Sequence, residues 1–173
     1  QTELSRSKIH WREKRGDILI DLQQASISWL WQDESLSGHL AAVLSDRGRL
    51  DGQFRLPIAA QIPVKVNEQG KLHASLSGQL VEKGALGMMF PGLIQESRGQ
   101  MSIALKWAGS FEAPQLNGDV RLTKAQGYLP AAGITLKDII CEARLAKDMI
   151  TIDTFRAASG PGHIEGSATI RLK

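Results

Sequence analysis

The sequence predicts an all-β chain: an elongated, strongly curved antiparallel or mixed sheet with an apolar inner face. Three observations point there. Apolar and polar residues alternate with period two along most of the chain, as in strands with one dry and one wet face. Helical spacing is almost missing, so helices cannot cover the dry face. An apolar-x-Gly-polar-apolar unit also recurs, as LSGHL at 36–40, LDGQFRL at 50–56, LSGQL at 76–80, RGQMSIAL at 98–105, LNGDVRL at 116–122 and IEGSATIRL at 164–172.

The rows follow in chain order. Ile18, Ile20 and Leu22 face opposite to Leu19 and Asp21, and Ala25, Ile27, Trp29 and Trp31 form the next row. Leu72, Ala74, Leu76, Gly78 and Leu80 make a third. Met101, Ile103, Leu105 and Trp107 alternate with Ser102, Ala104 and Lys106. Val120 and Leu122 continue the pattern past Gly118, and Cys141, Ala143 and Leu145 precede Ile150 and Ile152. Ile164, Gly166, Ala168, Ile170 and Leu172 close the chain. Turn signals at DRGRL (46–50), NEQGK (67–71), LAKDM (145–149) and SGPG (159–162) predict short reversals, hence an antiparallel meander. Pro57 and Pro63 predict an edge, a bulge or a break.

One segment departs from the alternation. In LVEKGALGMMFPGLIQES, residues 80–97, Leu86, Met89, Phe90, Leu93 and Ile94 fall near spacings of three and four. This predicts at most a short helical segment near 82–96, kinked at Pro91, that caps an open end of the sheet; an irregular loop is the alternative.

In the repeated unit, the apolar residues two before and two after the glycine share its face. The glycine leaves a notch there, which permits a bulge, a curl of the sheet or close approach of another surface. A one-faced sheet has to cover its apolar side by pairing with a second sheet, closing, or curling around a partner. The curled form is expected; a closed sandwich is the competing arrangement. The expected groove-lining residues are Leu72, Leu76, Leu80, Met101, Ile103, Leu105, Trp107, Val120, Leu122, Ile150, Ile152, Ile164, Ile170 and Leu172, with Ile18, Ile20, Ile27 and Trp29 as further candidates.

Composition sets the outer bounds. With 173 residues, 42% hydrophobic and 23% charged, the chain fits one folded segment, 1–173, with its own core. It begins QTELSRSK without an initiator Met and is expected to be a piece of a longer protein. The lone Cys141 forbids an intrachain disulfide and sits in an apolar row, as an inert thiol would. No apolar run reaches the length of a membrane-spanning helix. The basic cluster Arg6, Lys8, Arg12, Lys14 and Arg15 is interrupted by Glu13, which suits a solvated face better than a nucleic-acid contact.

Chemistry-bearing patterns are scarce. His10, His39, His73 and His163 lack metal-ligand spacing. GALG and SGPG lack the context of a phosphate loop, and no serine lies in a nucleophile elbow. Asp17, Asp21, Asp148 and Asp153 suit wet-face or turn positions better than a carboxylate pair. Trp11, Trp29, Trp31 and Trp107 are not interleaved with basic residues as a nucleic-acid platform would be. The expected function is therefore non-enzymatic, with no cofactor and no metal.

From Leu80 onward the chain resembles the TamB-type translocation-and-assembly proteins, a branch of the AsmA-like, repeating-groove proteins of the Gram-negative envelope. The similarity is carried by FPGLIQESRGQMSIALKWAGSFEAPQLNGDVRLTKAQGYLPAAGITLKDI, residues 90–139. Within it, Gly109 to Gly118 match a G-polar-x-x-x-P-x-L-x-G element and Pro130 to Ile139 a P-x-x-G-I-x-L-x-D-I element. Phe155, Gly160, Gly162 and Gly166 match the element that follows. Residues 80–173 carry the best match and residues 1–79 a looser one.

The resemblance implies a U-shaped, taco-like β-groove in the periplasm, with a membrane anchor outside this chain and a TamA-like partner of the Omp85 type in the outer membrane. It implies a conduit for phospholipid acyl chains between inner and outer membranes. The alternative it implies is a scaffold assisting assembly of outer-membrane β-barrel proteins and autotransporters.

Overall fold

The computed structural model describes residues 2–13, 16–32, 34–44, 48–84, 86–87 and 92–171, with side chains from residue 24 onward. The described elements are β-strands: β1 (Thr2–Glu13), β2 (Gly16–Gln32), β3 (Ser35–Leu44), β4 (Gly48–Leu56), β5 (Ile58–Ala59), β6 (Lys65–Val66), β7 (Leu72–Lys83), β8 (Gln95–Gly109), β9 (Pro114–Leu129), β10 (Ile134–Ala146), β11 (Met149–Ser159) and β12 (Gly162–Arg171). Ten of them form one antiparallel sheet in the order β1-β2-β3-β4-β7-β8-β9-β10-β11-β12. The β5–β6 ribbon forms a separate two-stranded sheet between β4 and β7, after Pro57 ends β4. The chain is thus an antiparallel meander, joined by short turns at 147–148 and 160–161 where turn residues predict them.

The sheet is open and flat, which corrects the expected strong curvature. The two edge strands β1 and β12 do not pair, and the strands of the large sheet pack substantially only on their sheet neighbours and, for β3, on β5. No U-shaped, taco-like groove is enclosed, and no second large sheet faces this one among the described residues. The physical reason lies in what alternation encodes. Period two decides which side chains share a face; it carries no information about curl.

The helical segment expected near 82–96 is not an element of the described structure. Glu82 and Lys83 end β7, Gln95 and Glu96 begin β8, and of the described residues between them only 86 and 87 are helical. Met89, Phe90 and the kink expected at Pro91 lie outside the described residues. Leu86, in the same segment, packs on a buried cluster of the sheet.

That cluster depends on bulges. Register shifts interrupt the β8–β9 pairing near Arg98, the β9–β10 pairing near Ile139 and the β10–β11 pairing near Ile140. Glu96, Lys124 and Asp138 take positive φ angles of 51°, 48° and 50° at these irregularities. Each bulge adds a residue to its strand and reverses its parity. In β9 the inward row changes from Val120 and Leu122 to Ala125 and Leu129; in β11 it changes from Ile150 and Ile152 to Phe155 and Ala157. Leu122, Ala125, Leu136, Ile139 and Ala157 thereby form one buried cluster, with Met101, Cys141 and Phe155 packed against it. A second, smaller cluster joins Ala25, Ala42 and Leu44, with Leu50 and Leu80 beside it.

Candidate functional site

Cross-strand register builds a single apolar face across the sheet. One row runs Ile27, Leu40, Gly52, Leu76, Leu105, Gly118, Leu145, Ile150 and Ile170, each directly opposite the next. The parallel row runs Ala25, Ala42, Leu50, Gly78, Ile103, Val120, Ala143, Ile152 and Ala168. A third links Leu80, Met101, Leu122, Cys141 and Phe155, and a fourth Trp29, Gly38, Phe54, Ala74 and Trp107. Directly opposed residues on an antiparallel pair share a face, so the described candidates taken from the alternation fall on one side of the sheet.

Their burial differs along the face. Leu72 and Leu122 are buried. Leu76, Leu80, Met101, Ile103, Leu105, Trp107, Val120, Ile150 and Ile152 are half-buried. Ile164 and Ile170 on the outermost strand are 44% and 48% exposed, and Trp29 is 47% exposed. Leu172 and the side chains of Ile18 and Ile20 lie outside the described residues, as do those of the basic cluster at 6–15. An apolar face left half open in this way is unlike a filled core.

The glycine notches are occupied by neighbouring strands. A Cβ at Gly38 would overlap the Phe54 ring, and one at Gly78 would meet Leu50 Cδ2 at 2.7 Å. At these two positions a large side chain of the adjacent strand lies over the glycine, while at Gly118 the backbone of Ala104 and Leu105 fills the space. Gly166, on the outermost strand, has nothing within 4 Å of such a Cβ. This filling accounts for the recurrent unit without any bend in the sheet.

The face is not apolar throughout. Glu82 continues the β7 row past Leu80, is 2% exposed, and accepts hydrogen bonds at Oε1 from the Ser97 hydroxyl (3.1 Å) and the Leu86 amide (2.9 Å). Its Oε2 has no hydrogen-bond partner among the described residues. This polar pair sits where the segment after β7 meets the sheet.

The opposite face is wet and laced with ions. Arg121 pairs with Glu142, Arg144 with Asp153, Arg156 with Glu165, Arg171 with Asp148 and His39 with Asp51. Hydrogen bonding from Arg144 holds the Asp153 carboxyl below its ordinary range. Asp148 and Asp153 are thus ion-pair members on turn and strand. Partial burial, with Glu142 beside it, pushes the Cys141 thiol up. Trp31 donates its indole N–H to the Ile58 carbonyl at 2.7 Å, which ties the β5–β6 ribbon to β2.

Sequence reasoning missed the buried cluster residues Ala125, Leu136 and Ala157, because their parity is opposite to that of the rows they extend, and Ile139, which continues the Cys141 row next to the break. The readable signal was the parity break itself, between Leu122 and Ala125 and between Leu136 and Ile139. Among the described residues no His, Cys, Asp and Glu groups of three or more could hold a metal ion, and no helix is long and apolar enough to cross a membrane. No family model, curated protein or solved structure matches the chain.

Proposed function

We propose that this chain is a non-catalytic surface that carries phospholipid acyl chains along its apolar face, within the periplasmic part of a membrane-anchored envelope protein. The observation behind the reading is the apolar face itself: rows of Leu, Ile, Val and Trp continue from strand to strand, remain half open, and have no second large sheet over them among the described residues. Contiguous exposed apolar surface marks an interaction site. Each CH₂ moved from water onto such a surface contributes about 0.8 kcal/mol, so a chain of about 16 carbons gains on the order of 10 kcal/mol gross. Smooth apolar rows hold a tail without a fixed hydrogen bond, which lets it slide. The resemblance to TamB-type proteins supports the same reading and supplies the envelope setting, with a TamA-like outer-membrane partner.

A second reading rests on a different observation. Strand β12 is exposed along its whole length and, among the described residues, pairs on one side only, with β11. An open edge accepts a client strand by backbone pairing. That would suit a scaffold for assembling outer-membrane β-barrel proteins.

Fluorescence quenching tests the first reading. In a variant retaining Trp107 as the sole tryptophan, phosphatidylcholine brominated on its acyl chains should quench emission saturably. Absence of quenching there, with a client β-barrel strand protecting β12 amides from exchange, would replace the lipid reading with the scaffold.

A further inference from the structure

We propose that a cleft on the wet face, between Arg55, His73 and Lys106, binds a phosphate group. The cleft holds about 490 Å³ and is bordered by two neighbouring wet rows. Arg55 stands opposite His73 in one; Gln53, Ser75 and Lys106 stand opposite one another in the other. Between them the backbone of the Phe54, Ala74 and Trp107 row, whose side chains belong to the apolar side, forms the floor.

The charge pattern singles this cleft out. Arg121, Arg144, Arg156 and Arg171 each meet a carboxylate on the same face. The lining of this cleft has no Asp or Glu, and among the described residues the Arg55 side chain bonds a neutral partner, its Nε donating to the Ser37 hydroxyl at 3.1 Å. By contrast, the next cleft along the sheet sets Arg49 beside Asp51. The Ser37 contact engages Nε, so the two terminal nitrogens of the guanidinium remain as donors for a ligand. Three cationic or donor side chains from three strands, with the Ser75 hydroxyl between them, suit a tetrahedral oxyanion that accepts from several directions. A planar carboxylate would use the arginine fork alone.

The proposal does not rest on the lipid reading, because the cleft lies on the opposite side of the sheet from the apolar rows. The phosphate could belong to a free ion or to a lipid headgroup, and the test separates these. Calorimetric titration of the whole chain with inorganic phosphate should show saturable binding. Arg55→Gln combined with Lys106→Gln should weaken it about tenfold or more, as loss of charged hydrogen bonds implies. Arg121→Gln, at a site already paired with Glu142, should change it less than about twofold. If inorganic phosphate is silent, flotation with phosphatidylcholine vesicles containing phosphatidic acid should show binding that the double variant loses, which assigns the site to a headgroup. Equal weakening by all variants, or binding of neither probe, overturns the proposal. Circular dichroism of each variant checks that the sheet is retained.

Discussion

At Gly38 the ring of Phe54 occupies the space where a side chain would stand, so any larger residue forces the ring away. Gly38→Val is expected to destabilise the fold by about 1–3 kcal/mol through overpacking, read by urea denaturation. Gly166 tests the converse: with nothing near its Cβ direction, Gly166→Ala should be neutral or slightly stabilising. The Arg144–Asp153 pair makes a pH prediction. The depressed Asp153 carboxyl stabilises the fold above its unfolded-state value, and that contribution is lost as pH falls through the folded value. Arg144→Gln should therefore lower the melting temperature near neutral pH, and the gap from the parent should close as pH falls through the carboxylate range. Cys141, half-buried with its thiol pushed up, should react with iodoacetamide far more slowly in the folded chain than in denaturant.

Strands are held in phase by their bulges. Where alternation is unbroken, as in Met101 to Trp107 or Leu72 to Leu80, the sequence alone places each side chain on its face, because period two is all the geometry requires. Where a strand gains one residue the same rule inverts, and Ala125, Leu136 and Ala157 pass for wet-face residues although they are buried. Asp138 is a residue tolerant of positive φ, but Lys124 and Lys147 are not marked by type, so backbone position decides there. Lys147, at a φ of 57° in the β10–β11 turn, gives an element-scale prediction: Lys147→Gly should stabilise by about 0.5–1 kcal/mol, as relief of left-handed strain exceeds the entropy of glycine. Glu82 is a second case that spacing could not reveal, since its row continues the apolar face while its carboxylate holds the Leu86 amide and Ser97. Glu82→Ala should cost about 1–3 kcal/mol and speed exchange of the Leu86 amide.

For the molecule as a whole, the ten-stranded sheet has one face that water should leave and one that water keeps. A meander of strands with alternating faces was legible in the sequence; the strand at 2–13 and the β5–β6 ribbon were not. Curvature was not, because glycine notches suit a bend and a side chain from the next strand equally well, and only the register separates the two. The absence of curl matters for the proposed function: on that reading tails would lie across the width of a flat apolar face, which offers no enclosed passage. Leu105→Asp should leave the fold intact, since Leu105 is only half-buried, while abolishing acyl-chain binding through a charge on the dry face. The sharpest measurement is photocrosslinking in cells, with the crosslinker at Leu105 and Ile150 on the apolar face and at Lys106 and Thr151 on the other. Phospholipid adducts at the first two positions and not at the second two are the expected result. Adducts at Lys106 and Thr151 alone, or only protein adducts at Leu105 and Ile150, would contradict a lipid-bearing apolar face.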